Sequence, residues 1–152
     1  MINIWSVATN ELVGSLKHHR DAVSGLAFRQ GSNQLYTASL DRTIKVWNID
    51  ELSYIETLFG HQDQITCIDT LSKERCITSG SRDRTVRLWK IPEESQLVFR
   101  GGGGGLLVSE DLVVLEGLAK KKTDRDQGAS GGSLDVVAMV DEDTFVSGSD
   151  SG

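Results

Sequence analysis

Three histidines, two cysteines and a twice-used Asp-Arg pair are the residues of this 152-residue chain whose types could carry chemistry. A histidine can serve as a base near neutral pH. Yet no Gly-x-Ser-x-Gly elbow, no His-Glu-x-x-His and no phosphate loop ending in Gly-Lys-Ser/Thr occurs. The glycine tract at 101–105 lacks both a trailing lysine and the spaced glycines of a dinucleotide turn, so it reads as a linker. Cys67 and Cys76 form no Cys-x-x-Cys and lie in β-prone runs. They read as reduced thiols packed like small apolar residues, in an intracellular setting. The expectation is a protein with no catalysis, metal, cofactor or small-molecule substrate. What remains is Asp41-Arg42 and Asp83-Arg84, forty-two residues apart. Arginine in such loops can fork onto phosphate oxygens and can stack on unpaired bases.

The spacing of those pairs belongs to a repeat. Residues 37–48 read Thr-Ala-Ser-Leu-Asp-Arg-Thr-Ile-Lys-Val-Trp-Asn, and 79–90 read Ser-Gly-Ser-Arg-Asp-Arg-Thr-Val-Arg-Leu-Trp-Lys. Trp5 stands forty-two residues before Trp47. The two units align without a gap. Each holds four short β-prone runs separated by Asn, Asp, Gly and Ser turn residues. A period of this length with four strands is that of a β-propeller blade. Strands are expected at 2–7, 11–16, 23–28, 34–39, 43–49, 54–59, 65–70, 75–79, 85–91, 96–100, 134–140 and 144–149. Pro92 falls in a turn between strands, where a missing N–H costs nothing.

The fold class is therefore all-β: an incomplete propeller of about three blades' worth, cut mid-blade at both ends. Residues 1–100 divide into a partial blade (1–17), a full blade (18–59) and a further blade (60–100). Residues 101–133 are a Gly-rich insertion between blades, and 134–152 begin another blade. Within 106–122, acids at the start and lysines at the end fit a helix capped by Ser109. An unstructured excursion is the alternative. Rings usually need four to eight blades, so a fragment of a longer protein is expected.

These units resemble WD40 repeats. Gly60-His61 stands as that family's Gly-His pair, while Lys17-His18-His19 keeps the histidine and loses the glycine. The tryptophan's usual aspartate partner is replaced by Ser6, Asn48 and Lys90. The resemblance implies structural hydrogen-bonded tetrads: His19, Thr37, Asp41 and Trp47 in one blade; His61, Ser79, Asp83 and Trp89 in the next. Gly101-Gly102 and Ser151 leave the last unit without its histidine and aspartate.

A net charge of −6 argues against uniform coating of nucleic acid, but not against a local basic patch. No run is long enough to span a membrane and no signal peptide opens the chain. With blade strands lettered a to d, the d–a and b–c loops of a propeller share one face. That face holds Lys17, His18, Arg20, Arg42, Arg82 and Arg84, beside Asp21, Asp41, Asp63 and Asp83. The opposite face holds Glu11, Asp50, Glu51, Glu93, Glu94, Asp141, Glu142 and Asp143, against Arg29, Lys73 and Arg75. Lys17, Arg20, Arg42, Arg82 and Arg84 are thus the candidate surface for an anionic partner.

Stretches 19–28, 54–63 and 89–99 resemble, beyond the common pattern, the WD-repeat subfamily of the U3 small nucleolar ribonucleoprotein. The likeness covers 1–100 well and 134–152 moderately; 101–133 has no counterpart. It implies a scaffold in the nucleolus of the nucleus that binds U3 snoRNA and box C/D ribonucleoprotein proteins. Its setting would be the pre-ribosomal particle, in early pre-rRNA processing for the small subunit, with no reaction of its own. The alternative is a general scaffold that reads a peptide or partner protein across the propeller top.

Overall fold

Period-two alternation of apolar and polar residues gives each short run one core-seeking face, which antiparallel pairing can bury. The computed structural model describes residues 1–100 and 133–150. Its strands are β1 (Ile2–Ser6), β2 (Glu11–Leu16), β3 (Val23–Phe28), β4 (Gln34–Ser39), β5 (Thr43–Asn48) and β6 (Ser53–Phe59). They continue as β7 (Ile65–Thr70), β8 (Arg75–Gly80), β9 (Thr85–Lys90), β10 (Ser95–Arg100), β11 (Leu134–Met139) and β12 (Phe145–Ser149). Two antiparallel meanders, β3-β4-β5-β6 and β7-β8-β9-β10, form four-stranded blades. The pair β1-β2 is a c–d half blade and β11-β12 an a–b half blade. The chain is an open, partial β-propeller.

The second strand of each full blade is the most buried, polar residues included. β4 and β8 are covered on both sides, and five of six residues in each are buried. Outer strands β6 and β10 have no buried residue. The cores lie between blades. Tyr36, Ile44 and Val46 meet Ile65, Ile68 and Trp89 across one seam. Ile77 and Val86 meet Leu134 and Val137 across the next. Ile2 and Leu16 close the first half blade against Leu35 and Trp47.

A register shift recurs in each innermost strand, at Val23/Gly25, Ile65/Cys67 and Leu134/Val136. Gly25 has a steric reason. A Cβ there would stand 2.8 Å from Ile68 Cγ2, so glycine lets β3 approach β7.

Two acids of the a–b loop face join neighbouring blades, Asp143 through an ion pair to Arg75 at 3.3 Å and Glu142 through the turn after β7. Glu142 accepts from the backbone N–H groups of Ser72 (2.9 Å) and Lys73 (3.2 Å), and from the Ser72 hydroxyl. From the other side Arg29 donates to the Ser72 carbonyl at 2.8 Å and to Glu74 at 2.6 Å. Pro92 opens a 3-10 turn, Ile91–Glu93, between β9 and β10. The proposed helix within 106–122, the rest of the insertion to 132, and Ser151 lie outside the described residues.

Candidate anion-binding face

The polar centre of the first full blade is a chain of hydrogen bonds that runs one way. The Trp47 indole N–H donates to Thr37 Oγ1 at 2.9 Å. Thr37 Oγ1 lies 2.8 Å from His19 Nε2, and His19 Nδ1 lies 2.9 Å from Asp41 Oδ2. One proton assignment satisfies all of them: a neutral imidazole accepting from the threonine hydroxyl and donating Nδ1–H to a carboxylate. Asp41 also accepts from Arg20 N, Thr43 N and Thr43 Oγ1 at 2.6–3.0 Å. The His19 side chain is only 2% exposed. Buried donors and acceptors that fully satisfy one another make this a structural unit.

The second blade repeats the unit with one substitution of partner. His61 Nδ1 meets Asp83 Oδ2 at 2.7 Å, but both His61 Nε2 and the Trp89 indole meet Thr78 Oγ1, each at 2.8 Å. Ser79 is not the tetrad residue. Its hydroxyl instead lies 2.9 Å from Thr66 Oγ1, which also donates to the Leu134 carbonyl at 3.0 Å. Two cancelling offsets cause the difference. The a–b turn joins paired residues Phe28 and Leu35 in the first blade but Thr70 and Cys76 in the second, one residue fewer. The b–c loop then runs one residue longer, from Thr78 to Thr85 against Thr37 to Thr43. The alignment is thus not free of gaps, although the 42-residue period hides them.

Because burial tends to raise Asp41, its ionisation depends on the bonds from Thr43, Arg20 N and His19, which hold it at about 2. Burial pulls His19 below its ordinary 6.5, against the opposing pull of Asp41. Both shifts have the same consequence. In each case the unfolded chain binds more protons between the two values, so stability rises with pH there. Expected on acidification is a first loss of melting temperature below pH 6.5, as His19 is forced to charge, and a second between 3.8 and about 2. Melting curves across that range check this, and Asp41→Asn should shrink the lower limb without abolishing it, because bonds from His61 and Thr85 hold Asp83 low as well, against burial.

With their carboxylates saturated from within, Asp41 and Asp83 leave the neighbouring arginines free. Among the described residues, none of Lys17, Arg20, Arg42, Arg82 and Arg84 forms an ion pair, and all five are exposed. Arg42 and Arg84 each close a turn, donating N–H to the Ser39 and Ser81 carbonyls at 3.2 and 3.3 Å. Both sit in left-handed backbone, at φ 68° and 55°. A side chain there costs about 1–2 kcal/mol that glycine would avoid.

The structure gathers two of the five cations into a cleft of about 550 Å³ at the seam of the full blades. Arg20, Arg42 and Lys45 line it with His18, Asp41, Thr43, Phe59, Gly60, His61 and Gln62. Lys17 lines a neighbouring hollow with His18, Trp47 and Tyr54. Arg82 and Arg84 border neither. Lys45 and Phe59 escaped sequence reasoning because both lie on strands, where a residue reads as core or outer face.

His18 is exposed yet stacked on Tyr54 at 4.8 Å with rings 1° from parallel. The second blade has Gly60 and Gln96 at these two places. There Arg87 donates to Gln96 at 2.7 Å and crowds Gly60, where a Cβ would lie 2.6 Å from its guanidinium. Glycine before the tetrad histidine makes room for that arginine. His18 takes the space in the first blade.

The profile of the WD domain, G-beta repeat, fits residues 10–48 and 52–90. The chain belongs to the WD40 family. Over 136 residues this WD40 chain is 54% identical to an uncharacterized WD repeat-containing protein of Schizosaccharomyces pombe, with 90% of the chain covered. It spans 23% of that curated relative. Among solved structures it is similar to one described as U3-55K, with 45% identity and a TM-score of 0.76, over 97% of this chain and 37% of the other. It is equally similar to a crystal structure of RRP9 WD40 repeats, with 45% identity and a TM-score of 0.75, over 95% and 36%.

Proposed function

We propose that these WD40 blades are a non-catalytic scaffold of the U3 small nucleolar ribonucleoprotein, in the nucleolus. On this reading the d–a and b–c loop face meets the backbone of U3 snoRNA. The box C/D proteins of the pre-ribosomal particle pack beside it during early pre-rRNA processing. One observation carries the reading. Five exposed cations share the loop face without a carboxylate partner among the described residues. Similarity to U3-55K and to RRP9 at 45% identity supports the choice of partner.

The test is charge reversal, Arg42→Glu with Arg84→Glu, in the protein at its full natural length. Binding to U3 RNA with its box C/D proteins is then measured against salt. The double variant should fold, bind more weakly and show a shallower salt slope, by roughly one unit per lost phosphate contact. Unchanged affinity at low salt in a folded double variant would remove RNA from this face and favour a peptide-reading scaffold.

A further inference from the structure

Phe59 is 71% exposed although it ends a strand and belongs to a residue type that normally seeks the core. It lies directly across the β5–β6 ladder from Thr43, the residue after Arg42. Opposite residues of such a ladder hold their side chains close. The ring therefore stands at the wall of the cleft that Arg20, Arg42 and Lys45 also line.

Lys45 is held in place there. Its ammonium donates to Thr57 Oγ1 at 2.7 Å and lies 5.4 Å from the centre of the Tyr54 ring. The lining's only carboxylate is Asp41, which already accepts four hydrogen bonds. A space of about 550 Å³ falls within the usual range of small-ligand sites, about 300–1,000 Å³. A fixed cation, two free guanidinium groups and a bare aromatic ring beside them are the parts that single-stranded nucleic acid needs. Cations track the backbone and the ring takes a base.

Resting on the basic-face reading above, we propose that this cleft captures one unpaired RNA nucleotide. Its phosphate lies on Arg20, Arg42 and Lys45, and its base stacks on Phe59. Duplex RNA offers no splayed base and is held by the arginines alone. A base held by stacking is selected for being unpaired, with little regard to its identity.

The experiment compares a short single-stranded oligoribonucleotide with a duplex of the same sequence, by fluorescence anisotropy on the protein at its full natural length. Phe59→Ala should weaken the single strand by roughly tenfold or more. Its duplex affinity and the salt slope should stay as in wild type, because no phosphate contact is lost. Phe59→Trp should restore single-strand binding. Since Phe59 is already exposed, truncation empties no core, and an unchanged melting temperature verifies this. If Phe59→Ala binds the single strand like wild type while reversal at Arg42 and Arg84 still weakens it, the nucleotide cleft is wrong and the basic face stands. If neither variant changes RNA binding, both are wrong. An acidic peptide that displaces the oligoribonucleotide, and whose own binding needs Phe59, would overturn the proposal in favour of a protein ligand.

Discussion

Gly80→Ala is expected to destabilise the protein by about 2–4 kcal/mol, the ordinary cost of leaving buried donors unpaired. A Cβ at this position would stand 2.1 Å from Asp83 Oδ1 and 2.5 Å from its Cγ and Oδ2. The carboxylate cannot simply swing aside. It is held by His61 Nδ1, Gln62 N, Thr85 N and Thr85 Oγ1 at 2.7–3.1 Å. Moving it unpairs several of these at once. The first blade has Ser39 at the same place in the sheet, and its shorter loop lets the hydroxyl accept from Asp41 N at 3.1 Å. The collision therefore belongs to the extra residue of the second b–c loop. A double-mutant cycle tests the mechanism. In an Asp83→Ala background the added methyl should cost little, since its obstacle is gone. Full destabilisation in that background would place the clash on the backbone instead.

The fold was legible because a propeller writes itself twice. Each blade repeats its turns and its alternation, so every strand was placed to within a residue or two. Asp41 and Asp83 were equally plain, each standing one residue before an arginine in a tight turn. What could not be read was the position of the threonine. One residue removed from the a–b turn and one added to the b–c loop leave the period intact, and sequence alignment sees only the period. Structure registers the difference because a slip by one residue exchanges the two faces of a strand. Thr78 faces the tryptophan, and Ser79 faces Thr66, which reaches the Leu134 carbonyl of β11.

The basic face was visible in part. Loop arginines are conspicuous in sequence. That their neighbouring aspartates are consumed by His19 and His61 follows only from the tetrad geometry. Lys45 and Phe59 carried no such signal. Strand residues reveal exposure only after the blade has neighbours, and Phe59 reads from sequence as one more apolar residue of an outer strand. The cleft is the product of three loops and two strand ends that the chain brings together from 18–20, 41–45 and 59–62.

Thr78→Val should cost more than Ser79→Ala. Valine keeps the shape and removes the hydroxyl, so the Trp89 indole loses its acceptor and His61 Nε2 loses its donor. Thr78 is fully buried, and no water replaces either partner without opening the sheet. Two unsatisfied groups, at about 1–3 kcal/mol each, predict a loss of about 2–6 kcal/mol. The matching Thr37→Val in the first blade should behave alike, since Trp47 and His19 depend on it in the same way. Ser79→Ala removes only a hydroxyl contact to Thr66, which keeps the Ser79 and Leu134 carbonyls at 3.2 and 3.0 Å. Its cost should stay near the net worth of one hydrogen bond, about 0.5–1.5 kcal/mol. Chemical denaturation followed by tryptophan fluorescence ranks the three variants. A Ser79→Ala loss as large as that of Thr78→Val would return the tetrad to Ser79 and with it the gap-free alignment of the two blades.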